Sequence, residues 1–353
     1  MSYATNTTHA AVAAALRTAK RPFVTTHYKP DGDALGSVLA MARALRHLGS
    51  QVQAVVAGPV DRTILGLAAE GEVQFVERGA VTPDAATDLA LVVDTGARSQ
   101  LEHLSNWLPA NHAMVVGLDH HRSGDPIASR RIVDASCAST TQVLVPVLDE
   151  LGVPLAQVGK PAQHSIAEAL FAGLATDTGW FRFSSADERV FQLCARLLSH
   201  GVDKDRLYRM IEQGDAPGRP LLVARALRSL EYAGNHRIAI MRLTRQDFAD
   251  TDTRVDDLAG LVNEPMSVGA VEVSVLLVQH DANLVKISFR SKPPAKRGGW
   301  FVDVNHVAAH FDGGGHVHAA GARMQGTMDA VATRVRSVLE SYLEDAASHG
   351  ATL

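Results

Sequence analysis

Apolar, helix-forming residues fill positions 9–20, and a short apolar run at 22–26 then delivers a polar turn, His27-Tyr28-Lys29-Pro30-Asp31-Gly32-Asp33. From Ala34 to Leu48 hydrophobic residues recur with helical spacing, with Leu35, Val38, Leu39, Ala42, Leu45 and Leu48 on one side and Gly49 as the stop. This predicts a strand, a tight turn and a helix. A β-branched stretch at 51–57, a helical stretch at 62–70 and a run at 73–76 continue the alternation. Two near-continuous apolar runs follow, at 88–93 and 113–118, of the kind that parallel strands buried on both faces require. The first ends in Asp94-Thr95-Gly96 and the second in Asp119-His120-His121. Helical periodicity returns at 139–151, 163–174, 187–200 and 203–213, and Thr176-Asp177-Thr178-Gly179 places one more aspartate in a turn. The alternation predicts an α/β fold with a doubly wound, mainly parallel sheet, whose ligands bind outside the carboxyl ends of the strands.

Punctuation by Gly214-Asp215-Ala216-Pro217-Gly218-Arg219-Pro220 reads as a linker, after which the pattern changes. Strand-like runs at 238–243, 270–279 and 284–289, a hairpin connection at 281–283, a glycine-rich loop at 311–321 and a final helix at 328–346 predict a second, smaller α+β domain. The expected division is a catalytic domain at 1–214, a connecting linker and helix at 215–234, and a substrate-binding domain at 235–345, facing each other across a cleft.

Composition narrows the class. A chain of 353 residues with 46% hydrophobic content can bury a core in each of two domains. Its net charge of -4 gives no global basic field, which favours short or small anionic substrates over long duplexes. Two cysteines, Cys137 and Cys194, cannot build a disulfide framework and fit a reducing compartment. With no signal-like leader and no apolar run near the ~18 residues of a membrane span, a cytoplasmic protein without membrane association is expected. A homodimer is left open.

Histidine and aspartate carry the chemistry. His27, Asp31 and Asp33 crowd into seven residues, as either the start of a divalent-cation site or a polar turn whose aspartates cap the next helix. Together the strand ends gather His27, Asp31, Asp33, Asp94, Asp119, His120, His121 and Asp177, enough ligands for two cations. Carboxylate and imidazole without thiolate suit Mn²⁺ first, then Mg²⁺, Fe²⁺ or Co²⁺, and a closed structural zinc site least. Cations ~3.5–4 Å apart activate a water and neutralise charge in an in-line phosphoryl displacement, so metal-assisted hydrolysis of a phosphate ester is expected.

These motifs, His-x-x-x-Asp-x-Asp at 27–33, Asp94 after an apolar strand, Asp119-His120-His121 and Thr176-Asp177-Thr178-Gly179, resemble the DHH phosphoesterase superfamily. Gly313-Gly314-Gly315-His316 with Ala319-Ala320-Gly321, preceded by Arg290-Ser291 and Asp303-Val304, is similar to the DHHA1 domain. Their pairing resembles the NrnA-type group of nano-RNases and pAp phosphatases, which also includes cyclic-dinucleotide phosphodiesterases. The resemblance implies that His27, Asp31 and Asp94 hold one metal and that Asp33, Asp94, His120 and Asp177 hold the other, with Asp94 as the bridge. It implies that Asp119 orients an imidazole and that His121 contacts the scissile phosphate or assists the leaving group, the alternative for His121 being a packed, hydrogen-bonded histidine. Glycine backbone can approach an anion closely, so Arg290, Ser291, Gly314, Gly315 and His316 are the candidates for gripping the terminal phosphate or base of the substrate. Ser291 as a plain strand-end hydroxyl and the glycines as a turn are the alternatives.

Lys292, Lys296, Arg297 and Trp300 form a basic, aromatic-containing loop that either contacts a phosphate chain or is simply solvated. His306, His310, His316 and His318 lack the cysteine or acidic partner of a familiar zinc pattern. Asp312 and Gln142 depart from the family, where a fourth glycine and a glutamate are frequent. The expected activity is hydrolysis of short single-stranded RNA to nucleoside 5′-monophosphates and of 3′-phosphoadenosine 5′-phosphate (pAp) to AMP. A cyclic dinucleotide or its linear product is the alternative substrate. An inactive nucleotide sensor is disfavoured because every expected metal ligand is present, and no P-loop sequence is found.

Overall fold

A computed structural model describes residues 3–157, 159, 161–294 and 299–348, with the backbone alone at 256, 316 and 346–348. The chain divides into two compact units, Met1–Gly214 and Asp215–Leu353. In the first, the elements run α1 (His9–Thr18), β1 (Pro22–Thr25), α2 (Gly32–His47), β2 (Gln53–Ala57), α3 (Arg62–Leu65), β3 (Gln74–Val76), β4 (Leu89–Val93), α4 (Leu108–Asn111), β5 (Val115–Asp119), β6 (Arg130–Val133), α5 (Thr140–Leu151), α6 (Ile166–Asp177), α7 (Glu188–Ser199) and α8 (Lys204–Glu212).

Six parallel strands lie in the order β3-β2-β1-β4-β5-β6. The expected doubly wound, mainly parallel sheet is therefore present. Its order reverses between β1 and β4, the switch point where such sheets bind ligands. Both faces are buried, and alternate side chains take opposite sides. Val24, Val56, Leu91, Val93, Val116 and Leu118 join a large core with α1, α2, α5 and α6. Phe23, Val55, Ala90, Val92 and Val115 meet a thinner layer that includes Leu101, Leu104 and Leu108.

Glycine sets the approach of α2 to α6. A Cβ on Gly36 would lie 2.5 Å from the Ala169 carbonyl oxygen, and one on Gly173 would lie 2.7 Å from Asp33 Oδ1. The crossing thus brings the start of α2 against the end of α6 and leaves room for a carboxylate between them.

In the second unit, α9 (Arg219–Arg228), β7 (Glu231–Ala233), β8 (Ile238–Leu243), α10 (Arg245–Thr251), β9 (Val273–Asp281), β10 (Leu284–Ser291), α11 (Val304–Ala309), β11 (Gly314–His316), β12 (Ala319–Gln325) and α12 (Met328–Ser348) follow. A mixed sheet runs β11-β12-β10-β9-β8-β7, parallel only between β8 and β9. One face packs on α11 and α12 through Phe289, Val307, Val335 and Leu339. The other packs on α9 through Leu222, Ala226, Met241 and Leu276.

Several sequence readings are corrected. The glycine-rich stretch is a hairpin, β11 with β12, rather than a loop, and α3 stops at Leu65 rather than extending to 70. The helix expected within the connecting segment 215–234 ends at Arg228, where Ser229 and β7 take over. Asp177 is the last residue of α6 rather than part of the following turn. Among the described residues no helix is long and apolar enough to cross a membrane.

Candidate metal centre and phosphate-binding hairpin

Three strand ends and two helix ends meet at one edge of the parallel sheet. β1 leads through Thr25 and Thr26 to His27, β4 ends before Asp94, β5 carries Asp119 and hands on to His120 and His121, α2 begins at Asp31 and Asp33, and α6 ends at Asp177. The two readings of the opening turn turn out to be compatible. Asp31 is the N-cap of α2, its Oδ1 accepting from the backbone N–H groups of Asp33 and Ala34 at 3.0 Å each. Oδ2 is left out of the cap.

Ligand atoms of His27, Asp31 and Asp94 lie within 4.8 Å of one another, as do those of Asp33, His120 and Asp177, and those of Asp94, His120 and His121. Asp94 stands between the first two groups, with Oδ2 3.5 Å from His27 Nε2 and Oδ1 3.6 Å from His120 Nε2. His120 Nε2 is also 3.3 Å from Asp177 Oδ2. Asp94 adopts φ 61°, a left-handed backbone that an aspartate tolerates at some cost, and its N–H donates to the Leu118 carbonyl at 3.0 Å. The bend turns its carboxylate out of the strand line.

The start of α5, which sequence reasoning took only as a helix, supplies the donors that fix two of these carboxylates. Asp33 Oδ2 accepts from Thr140 N at 2.6 Å, and Oδ1 accepts from Thr141 N and Thr141 Oγ1 at 3.0 and 2.8 Å. Thr140 Oγ1 donates to Asp94 Oδ1 at 2.8 Å. A helix N-terminus facing a carboxylate adds favourable electrostatics. Gln142, the family departure, closes the same cap, its Oε1 accepting from Ala138 N at 2.8 Å while its N–H donates to Ser139 Oγ.

Charge separates the carboxylates into two classes. Burial, reinforced by repulsion from neighbouring aspartates, raises the pKa of Asp33, Asp94 and Asp177, the last to about 9. Asp119 goes the other way. Burial pushes it upward, but hydrogen bonds and charge from His121 and a bond from Tyr3 outweigh this and hold it below the usual carboxylate range. Its Oδ1 accepts from His120 N at 2.8 Å, His121 N at 3.2 Å and His121 Nδ1 at 2.7 Å. The hydrogen bond to Asp119 raises the His121 pKa.

Four carboxylates and two imidazoles crowded so that three of the acids resist ionisation form a donor set suited to hard or borderline divalent cations. A residue that sequence reasoning missed is His103, buried next to this edge with neither ring nitrogen hydrogen-bonded among the described residues; burial and the charge of His27 lower its pKa to about 4.

Comparison with known proteins places the chain. The N-terminal domain model of the DHH family matches residues 21–174, and the DHHA1 domain matches residues 235–345. The bifunctional oligoribonuclease and PAP phosphatase NrnA of Thermus thermophilus is 31% identical over 334 residues, 94% of this chain and 93% of its own. The chain belongs to the DHH family. Within that family, the NrnA of Bacillus subtilis is 24% identical over 90% of this chain and 93% of its own. The crystal structure of an exopolyphosphatase-related protein from Bacteroides fragilis shares the fold with a TM-score of 0.81, at 24% identity and 96% coverage of both chains.

The DHHA1 domain carries the remaining candidates. Arg290 on β10 pairs with Ala319 on β12, which pairs with His316 on β11, so the three positions form one row across the sheet. The His316 side chain lies outside the described residues. Burial lowers the Arg290 pKa, and its Nη1 donates to the Phe289 carbonyl at 2.9 Å. Ser291 is buried, and its hydroxyl pairs with His318 Nδ1 at 3.0 Å.

Among the glycines, Gly313 and Gly315 are required by the close approach of β12, since a Cβ on either would strike its backbone, whereas a Cβ on Gly314 would first meet Asn305 Oδ1 at 3.6 Å. The Gly315 N–H already donates to Asn305 Oδ1 at 2.9 Å. Asp312 occupies a left-handed turn at φ 53°, where a glycine is equally at home. In the basic loop, Lys292 Nζ donates to the Val268 carbonyl at 2.6 Å, the Arg237 guanidinium lies 5.4 Å from the Trp300 ring centroid, and Lys296 and Arg297 fall outside the described residues.

Proposed function

We propose that this DHH/DHHA1 chain is a Mn²⁺-dependent phosphoesterase that hydrolyses short RNA oligonucleotides to nucleoside 5′-monophosphates and pAp to AMP. The observation that carries the reading is the pair of ligand groups, His27, Asp31, Asp94 and Asp33, His120, Asp177, with Asp94 reaching both. Similarity to NrnA over 94% of the chain supports the substrate class.

His27, Asp31 and Asp94 would hold one cation, and Asp33, His120, Asp177 and Asp94 the other. When bound, such cations lower the pKa of a water and neutralise charge on the phosphoryl oxygens. Oxygen and imidazole donors without thiolate put Mn²⁺ ahead of Mg²⁺, Fe²⁺ and Co²⁺.

The chain's own groups do the rest. Thr140 and Thr141 hold the carboxylates of Asp94 and Asp33 in place. Asp119, kept ionised, fixes the His121 ring through Nδ1, and Nε2 is the atom assigned to the substrate. As water, having given up one proton to solvent, bonds through its oxygen to phosphorus, the P–O ester bond breaks, its electron pair goes to the ribose oxygen, and that oxygen takes a proton from His121 Nε2, which solvent then restores. Arg290 supplies fixed positive charge for a part of the substrate away from the scissile bond, with Ser291 next to it on β10 and Gly314, Gly315 and His316 on β11 of the hairpin.

The test incubates the Mn²⁺-reconstituted protein with pAp, a dinucleotide, a five-nucleotide RNA, a long RNA and a cyclic dinucleotide, and separates the products by chromatography. Rapid release of mononucleotides from the short RNAs and AMP from pAp is expected. Preferred turnover of the cyclic dinucleotide, or no cation-dependent turnover of any substrate, overturns the reading.

A further inference from the structure

We infer that Tyr3 is a positioning residue for catalysis, acting through Asp119 to hold His121 in the orientation that protonates the leaving oxygen. This rests on the role given to His121 above. The Tyr3 hydroxyl donates to Asp119 Oδ2. The other oxygen, Oδ1, is the one that accepts from His121 Nδ1 at 2.7 Å. One carboxylate therefore joins the phenol and the imidazole, and each of its oxygens has its own donor. Without Tyr3, Oδ2 loses the donor that fixes that side of the carboxylate, and the direction in which Oδ1 meets His121 Nδ1 is set less sharply.

The phenol is held by a socket rather than by chance contact. Residues 4–6 lie along the edge strand β6, where Asn6 N donates to the Arg131 carbonyl at 3.0 Å and Arg131 N donates to Asn6 Oδ1 at 2.7 Å. Thr5 Oγ1 both donates to the Val133 carbonyl and accepts from Val133 N, at 2.9 Å each, and Arg131 Nε donates to the Ala4 carbonyl at 2.9 Å. This strap aims Tyr3 at the sheet edge. Its ring fills a slot left by Gly96 and Gly124, and a Cβ on either glycine would overlap it. Burial and the neighbouring Asp119 charge raise the phenol pKa, so it remains a donor throughout the working range.

The role predicts a dependence on leaving group. A ribose alkoxide needs a proton to depart, whereas p-nitrophenolate does not. Three variants, Tyr3→Phe, Gly124→Ala and His121→Ala, are compared with the parent on a dinucleotide and on the p-nitrophenyl ester of thymidine 5′-monophosphate, with thermal melting as a check on folding. Tyr3→Phe removes the donor and keeps the ring; Gly124→Ala keeps the donor and evicts the ring.

Both should lower kcat for the dinucleotide about tenfold, the usual scale for losing a partner that orients an active-site imidazole. KM should stay unchanged, and turnover of the nitrophenyl ester should fall by less than about twofold. His121→Ala should show the same selectivity with a larger loss. Equal losses on the two substrates in Tyr3→Phe and Gly124→Ala, or no loss at all, overturn the positioning role. Equal losses in His121→Ala overturn the role of His121, and the inference falls with it.

Discussion

Replacing Thr140 by valine removes one buried hydroxyl at nearly constant volume and isolates the hydrogen bond to Asp94. Thr140 is fully buried and Asp94 is 2% exposed, so no solvent takes over the lost bond. Among the described residues, Thr140 Oγ1 is the hydrogen-bond donor to that carboxylate, at 2.8 Å. Without a cation the raised pKa shifts Asp94 towards its neutral form, for which a hydrogen bond contributes about 1 kcal/mol; with cations bound the carboxylate is ionised and the same bond contributes about 2 kcal/mol. For a unit of this size these losses lower Tm by about 2–4 °C in the cation-free protein and by about 4–8 °C in the loaded one.

The difference of about 1 kcal/mol must appear as weaker binding, roughly fivefold in apparent Mn²⁺ affinity by linkage. Thr141→Val is the control. It removes one donor from Asp33 but leaves Thr140 N and Thr141 N on that carboxylate, so its effect on affinity should be smaller. Thermal melting with and without Mn²⁺, together with calorimetric Mn²⁺ titration, measures both quantities. Identical Tm losses in the two states with unchanged affinity would refute the reasoning.

Asp94→Ala should abolish Mn²⁺-dependent hydrolysis of nucleotides and of bis-p-nitrophenyl phosphate alike, because Asp94 reaches both ligand groups; retention of normal activity sinks the assignment. Arg290→Ala should raise KM for pAp and dinucleotide about tenfold or more, as expected for a lost charge-assisted contact, yet leave bis-p-nitrophenyl phosphate turnover largely intact, and equal losses would remove the second unit from substrate binding. Cation-free protein should lose stability as pH rises. Folded Asp33, Asp94 and Asp177 keep protons that the unfolded chain releases near pH ~4, and for Asp177 the window runs up to about 9. A cation-free Tm that climbs from about pH 5 to about pH 8 would contradict this. Mn²⁺ binding at neutral pH should correspondingly release protons, measured by calorimetry in two buffers of different ionisation enthalpy.

Much of the first unit was legible because its signals are local. β4 and β5 are continuous apolar runs closed by Asp94 and by Asp119-His120-His121, and α2 repeats its apolar face with helical period, so the sheet edge is legible in the sequence. What stayed hidden depends on partners distant in sequence. β6 begins with two arginines, carries no strand signal of its own, and becomes a strand when β5 and the residue 4–6 strap pair with it. β12, Ala-Ala-Gly-Ala-Arg-Met-Gln, has little intrinsic strand preference and becomes a strand because β10 pairs along its whole length. Thr140 and Thr141 look like ordinary first-turn residues, since their work on Asp94 and Asp33 spans 46 and 108 positions. Tyr3 is further still from its carboxylate, at 116 positions.

The strap along β6 also bears on what this edge of the sheet offers to other strands. A parallel sheet ending in a bare strand offers unpaired N–H and carbonyl groups to any other strand that meets it. Here the Arg131 and Val133 amides and the carbonyls of Ser129, Arg131 and Val133 are taken up by Asn6, by Thr5 and by the Asn6 backbone. Side-chain caps of this kind satisfy the edge without presenting a new one. Shortening or displacing the first six residues would therefore uncover a templating surface for aggregation as well as loosen His121, and colloidal behaviour becomes a second readout of the same segment.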